Sequence, residues 1–325
     1  MTRRPLVCSA IICAIAFSTA AIAADPPRVV VSIKPIHSLV AAVMQGAGEP
    51  MLLIASGASP HTYSLKPSDA RALQDANLIF WVGEGLETFL QKPLASLPKK
   101  ARVIELAKTD GVMLLDYRES AAWEPHLHGD HGRDERPQTH AHEHEHADRH
   151  EASNMHIWLD AGNARAIVRA AVAALGEADP GRADLYRSNG DQAEGRLDAL
   201  DRALRSELTP LAGRPYIVFH DAYQYLEHRY GLKPVGSITV NPERQPSAQR
   251  IVAVRKKIVD NHAVCVFSEP QFEPSLVKTV IEGTSAKVGV LDPDGGVGVA
   301  PGPDAYFTIM RNLGDSLKGC LTGPN

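Results

Sequence analysis

Short β-branched runs alternate with helically spaced segments along most of this 325-residue chain, and that rhythm leaves few folds open. Residues 28–33, 51–55, 77–82 and 103–106 read as strands, with helices expected over 36–45, 67–75 and 86–91. After residue 210 the rhythm restarts. Strands are expected over 216–219, 235–240, 264–267 and 287–291, and helices over 222–229, 246–261, 274–282 and 304–318. Such alternation predicts an α/β chain whose sheets are mainly parallel, with helices on their faces. Two separate series predict two similar lobes, although no sequence repeat links them.

A long helix is expected between the lobes. An alanine-rich helix over 161–175 comes first. Asp179-Pro180 then offers an N-cap and a first helical residue. Ala193, Leu197, Leu200, Leu204 and Leu208 recur at helical spacing until Pro210 stops the pattern. Thirty residues would span about 45 Å, enough for a stiff connector unless Asn189-Gly190 interrupts it. The division read from this pattern is an N-terminal lobe over 24–178, a connecting helix over 179–210 and a C-terminal lobe over 211–325.

Both ends of the polarity scale are used up in segments that cannot join a core. Arg3 and Arg4, the short apolar run 6–17 and the small residues Ala21-Ile22-Ala23 read as a signal peptide over 1–23. The run is too short to span a bilayer, which needs about 20 apolar residues. Its removal takes the formal charge from -4 to -6 by loss of two arginines, which argues against a nucleic-acid partner. The second segment, 123–151, is polar and lacks apolar periodicity. It holds His126, His128, His131, His140, His142, His144, His146 and His150, eight histidines in 25 residues. Its formal charge over 126–150 is -3, three arginines against six carboxylates, so it reads as an accessory, weaker cation-collecting loop.

Export also decides the cysteine reading. Cys8 and Cys13 fall inside the signal, leaving Cys265 and Cys320. An even pair in an oxidising compartment reads as a disulfide, with two buried thiols as the alternative. The cross-link would be worth about 4 kcal/mol in the chain-entropy model.

Three histidines fall where open α/β sheets place ligands, past the carboxyl ends of expected strands. They are His61, His156 and His220, and Asp292 follows the last strand in the same way. Neutral imidazole suits zinc, and three histidines with one oxygen ligand complete a tetrahedron. Spacing alone is weak support for this. The surrounding words are more specific: Gly57-Ala58-Ser59-Pro60-His61-Thr62-Tyr63, Met155-His156-Ile157-Trp158-Leu159, Phe219-His220-Asp221-Ala222-Tyr223, Ser268-Glu269-Pro270-Gln271-Phe272 and Leu291-Asp292-Pro293 occur in this order. They resemble the metal-binding segments of the zinc solute-binding proteins of ABC transporters, the ZnuA type of the cluster A-I family. The resemblance covers nearly the whole chain after the leader.

That resemblance implies two lobes bridged by a rigid helix, with Zn2+ buried between them. It implies His61, His156 and His220 as ligands, and a Cys265–Cys320 disulfide. Some relatives carry a glutamate before the first histidine, where this chain has Pro60. The fourth ligand is then Asp292, water or a group of the histidine-rich segment, with Asp292 ranked first. Manganese relatives place a carboxylate at the position of His220, so a histidine there favours zinc. The implied partner is an ABC permease with its cytoplasmic ATPase, met by a monomer in the periplasm that touches the membrane only through the permease. Two alternatives are a zinc hydrolase, for which no H-E-x-x-H signature is present, and a periplasmic zinc buffer or adhesin without a transporter. Of the remaining groups, His37 is placed near the cleft, His228 and His262 on the surface, and Trp81 and Trp158 in the core. Glu269 is either a residue orienting a ligand or a structural carboxylate.

Overall fold

Two four-stranded parallel sheets carry the computed structural model, which describes residues 25–54, 57–118, 153–239, 242, 245–296 and 298–322. The expected signal segment and the eight histidines from His126 to His150 lie outside the described residues. In the first sheet β1 (Val29–Val31), β2 (Met51–Leu52), β3 (Leu78–Trp81) and β4 (Arg102–Glu105) stand in the order β2-β1-β3-β4. A small antiparallel pair follows, β5 (Leu115–Asp116) with β6 (Ser153–Asn154). In the second sheet β7 (Tyr216–His220), β8 (Gly236–Thr239), β9 (Cys265–Ser268) and β10 (Lys287–Val290) stand in the order β10-β9-β7-β8.

Numbered from its own first strand, each sheet reads 2-1-3-4. The expected similarity of the lobes is therefore a similarity of topology. In sheets of this order the ligand crevice opens beyond the carboxyl ends, where the connections leaving the first and third strands run to opposite sides. In the second sheet that point lies between β7 and β9.

The sheets form because their central strands are apolar on both faces. Val29, Val30 and Val31 are all buried, as are all four residues of β3 and all five of β7. The helices cover them: α1 (Lys34–Val43), α2 (Pro67–Asp75), α3 (Gln91–Ser96), α4 (Ala161–Ala178), α5 (Ala183–Leu208), α6 (Gln224–Tyr230), α7 (Ala248–Asp260), α8 (Pro274–Ile281) and α9 (Ala305–Thr322). The helix expected over 86–91 is instead a 3-10 turn, Thr88–Leu90, running into α3. The apolar residues after His156 also form a 3-10 turn, Ile157–Leu159, with all three side chains buried. The chain must turn there, because Asp160 Oδ1 accepts from Asn163 N–H at 2.9 Å and caps α4.

The long connector is present, and it is continuous through Gly190. α5 has 26 residues, about 39 Å at 1.5 Å each. Gly190 does not break it, because it is a packing notch: a Cβ there would stand 2.5 Å from Val172 Cγ2 of α4. Asn189 donates to the carbonyls of Val43 and Gln45 at the end of α1. Asp179 stands at the expected N-cap position, of the 3-10 turn Pro180–Arg182 that leads into α5, and its carboxylate accepts from Tyr186 Oη and Arg182 Nη1 rather than from the turn's own N–H groups. Leu197, Leu200, Leu204 and Leu208 are buried, each worth roughly 1.5–3 kcal/mol. They belong to one apolar core that holds Val29 and Val31 of the first sheet and Val218 and Phe267 of the second. α9 packs on α1, α5 and β10, and the expected Cys265–Cys320 disulfide ties it to β9.

Candidate metal centre

Each of the three histidines is delivered by a different device. His61 sits in the turn after β2, where its N–H donates to Ser59 Oγ at 3.2 Å. His156 stands between β6 and the 3-10 turn that leads into α4. His220 is the last residue of β7, at the carboxyl edge where the crevice of the second sheet opens. The first two come from the N-terminal lobe and the third from the C-terminal lobe.

Their Nε2 atoms converge. His61 Nε2 lies 3.3 Å from His156 Nε2, which lies 3.2 Å from His220 Nε2. The three ligand atoms fall within 4.8 Å of one another, a group that among the described residues takes in no fourth histidine, cysteine or carboxylate. Nitrogens about 2.0–2.1 Å from one ion at tetrahedral angles stand about 3.3–3.4 Å apart. The His61–His156 and His156–His220 spacings are close to that figure. His156 and His220 are each 4% exposed, while His61 is half-buried and forms the accessible side.

The far sides of two rings are fixed. His156 Nδ1 donates to Asn154 Oδ1 at 2.8 Å, and His220 Nδ1 donates to Glu269 Oε1 at 2.8 Å. With the proton held on Nδ1, the Nε2 lone pair of each ring faces the common point. Electrostatics distinguishes the three. Burial, with His220 beside it, pushes His61 down to about 3. Burial and the two neighbouring imidazoles hold His156 well below its ordinary value. At His220 burial also opposes the charge, but Glu269, with Asp294 and Asp221, outweighs it and raises the pKa. The metal-free site thus holds two neutral imidazoles and one that takes a proton readily.

The family profile described as "Zinc-uptake complex component A periplasmic", ZnuA, matches residues 29–320. The chain belongs to the ZnuA family. The high-affinity zinc uptake system protein ZnuA of Brucella suis biovar 1 (strain 1330) is 46% identical over 318 residues, covering 94% of this chain and 95% of the relative. The ZnuA of Yersinia pestis is 36% identical over 324 residues, covering 98% and 97%. A crystal structure of ZnuA superposes with a TM-score of 0.74 at 22% identity, covering 92% of this chain and all of the other. The periplasmic zinc-binding protein TroA of Treponema pallidum gives 0.74 at 20% identity, also covering 92% of this chain. At those identities the structures show the two-lobed fold of the ZnuA and TroA type.

Within this ZnuA-family centre Asp292 stands apart from the three histidines. Its Oδ1 accepts from Gln271 Nε2 at 2.7 Å and from Asp294 N–H at 3.2 Å. Glu269 takes the orienting role of the two the sequence left open. Trp158 is core, as expected, and it also braces the site. Its ring centroid is 5.2 Å from that of His156, and its Nε1 donates to Pro293 O across the lobes at 2.9 Å. His37 is buried on α1 and bonds Pro50 O at 2.9 Å, away from the cluster. His228 and His262 are exposed, as expected.

Sequence reasoning missed three nearby groups. Lys34 is buried, and its ammonium crosses to the C-terminal lobe to donate to the carbonyls of Gly295, Gly296 and Val299. Burial lowers its pKa against the pull of Asp292 and Asp294. Burial and the Asp292 and Glu269 carboxylates push Asp294 up to about 7. Asn154, whose only sequence signal is its place two residues before His156, carries the hydrogen bond that orients that ring.

Proposed function

We propose that this chain binds one Zn2+ ion tightly between its lobes through His61, His156 and His220, and delivers it to an ABC permease. The observation that carries the reading is the convergence of three imidazoles, with His156 Nε2 3.3 Å from that of His61 and 3.2 Å from that of His220 and all three ligand atoms within 4.8 Å of one another, two of the rings held lone pair inward by Asn154 and Glu269. Three nitrogens at this spacing suit a four-coordinate zinc ion, whereas manganese favours oxygen. Zinc uptake is the function of the ZnuA family to which the chain belongs. Asp292 is proposed as the fourth ligand, reached by turning off Gln271, with water as its substitute.

The remaining steps of the proposal follow from that cargo. Residues 1–23 direct export and are cleaved, and the mature chain works in the periplasm as a monomer. None of the described helices is long and apolar enough to cross a membrane. Contact with the membrane is assigned to the permease alone, which works with a cytoplasmic ATPase. The histidines of 123–151 are proposed as weaker accessory sites. The chain is a solute-binding protein, with zinc as its solute, and zinc-loaded protein is expected to turn over no ester or peptide substrate. The test is zinc titration by chelator competition: His156→Ala should lose tight binding, and parent-like affinity in that variant would overturn the site.

A further inference from the structure

Asn154 is fully buried, and every hydrogen-bonding position of its side chain is taken. Oδ1 accepts from the backbone N–H of His156 at 3.1 Å and from His156 Nδ1 at 2.8 Å. Nδ2 donates to Asp221 O at 2.7 Å and to Gln224 Oε1 at 3.1 Å. The orientation of the amide is decided by its partners. A backbone N–H can only donate and the Asp221 carbonyl can only accept, so the oxygen must face His156. His156 Nδ1, facing an acceptor, must then carry the proton.

Asp221 directly follows His220 in the chain. One side chain therefore joins a ligand histidine of the N-terminal lobe to the residue next to the ligand histidine of the other. Its own backbone is held as well. Tyr225 Oη donates to Asn154 O at 2.6 Å and accepts from Leu115 N–H at 3.0 Å.

We infer that Asn154 is a positioning residue with two separable jobs: its oxygen locks His156 with Nε2 toward the metal, and its nitrogen clasps the two lobes at the metal so that zinc is released slowly. This rests on His156 and His220 being zinc ligands, as proposed above. Aspartate could do only the first job. It would accept from His156, but it offers no N–H to the Asp221 carbonyl and sets a charged oxygen against that carbonyl and Gln224 Oε1. The sequence uses the amide, which does both.

The test compares the full chain with Asn154→Asp and Asn154→Ala, using zinc alone as the probe. Three quantities are read: the His156 tautomer in the metal-free protein by imidazole 15N NMR, zinc affinity by chelator competition, and zinc release into excess chelator by stopped flow. The parent should show His156 protonated on Nδ1. Asn154→Asp should keep that tautomer and release zinc faster. Asn154→Ala should lose the tautomer lock and bind zinc 10–100-fold more weakly, the usual range for a group that orients a ligand. A folded Asn154→Ala protein that keeps both the Nδ1–H tautomer and the parent's affinity would overturn the first job. Parent-like release from Asn154→Asp would overturn the second. If Asn154→Ala does not fold, the parent's own spectrum decides, since an Nε2–H proton on metal-free His156 contradicts the lock. His156→Ala in the same titration separates the failures. Its binding zinc like the parent would remove the ligand assignment itself, whereas its losing zinc beside an unaffected Asn154→Ala would remove only the role of Asn154.

Discussion

Glu269→Gln removes one buried charge and leaves the shape of the side chain, so it isolates what that carboxylate does for zinc. In the parent, Glu269 Oε1 stands 2.8 Å from His220 Nδ1 and raises the imidazole pKa above 6.5 in spite of burial. Zinc must displace that proton. Below the raised pKa the apparent affinity should fall about tenfold per pH unit, with one proton released per zinc. His61 and His156 stay neutral there, since both are shifted down. In the variant an amide oxygen still accepts from Nδ1, but the main force opposing burial is gone. The pKa of His220 drops, and the break in the affinity profile moves to lower pH. Above the raised pKa, where His220 is neutral in both proteins, the variant should bind zinc 10–100-fold more weakly, about 1.4–2.7 kcal/mol, through a less basic ligand. The gap should then narrow as pH falls toward 6, because the parent loses affinity first. Stability of the metal-free protein should show the same group with the expected sign. A raised folded pKa stabilises below about 6.5, the unfolded value, and the gain is lost as pH rises through the folded pKa. Chelator competition from pH 5.5 to 8, with calorimetry in buffers of different ionisation heat, reads both the profile and the proton. A parent-to-variant ratio that is constant across this range would refute the reasoning.

Three further outcomes are expected. Asp292→Ala should weaken zinc binding by less than any of the three histidine-to-alanine changes, because water can take the fourth position; chelator competition compares them directly. Cys265→Ser opens a cross-link spanning 55 residues, worth about 4 kcal/mol in the chain-entropy model, so thermal unfolding should move down while zinc affinity at room temperature is kept. Deletion of residues 126–150 should leave one tight zinc per chain and remove the weaker equivalents in calorimetry; loss of the tight site would mean the deleted segment supplies a ligand.

The alternation of strands and helices was legible because each element follows a local period. Its failures are where tertiary contact decides. Ile157–Leu159 is an apolar run too short to show a period, and it turns because Asp160 must cap α4 immediately afterwards. Asn189-Gly190 reads as a possible break, and no periodicity could reveal that Val172 of the neighbouring helix needs the space. The shared 2-1-3-4 strand order was equally hidden, since order depends on which strands pair and not on residue identity. The three clustered histidines were legible through the words around them. Spacing could not have found them, because positions 61, 156 and 220 meet only when two lobes are packed on one helix.

The groups that escaped the sequence reading show how the work is divided across the cleft. The C-terminal lobe brings Glu269, Asp292 and Asp294 to the metal edge, along with Asp221, which Arg118 partly neutralises. The N-terminal lobe brings His61 and His156, both held neutral, and Lys34. A divalent cation is therefore attracted chiefly by one lobe and closed over by uncharged nitrogens from the other. Lys34 limits that attraction. Its ammonium crosses to the Gly295–Val299 turn and faces Asp292 and Asp294, so part of the acidic charge is answered before any metal arrives. Two lobes carrying equal acidic sets would repel each other when metal-free. This uneven distribution lets the two lobes meet at the three histidines without facing carboxylate against carboxylate, with the lobe contact at Asn154 in place.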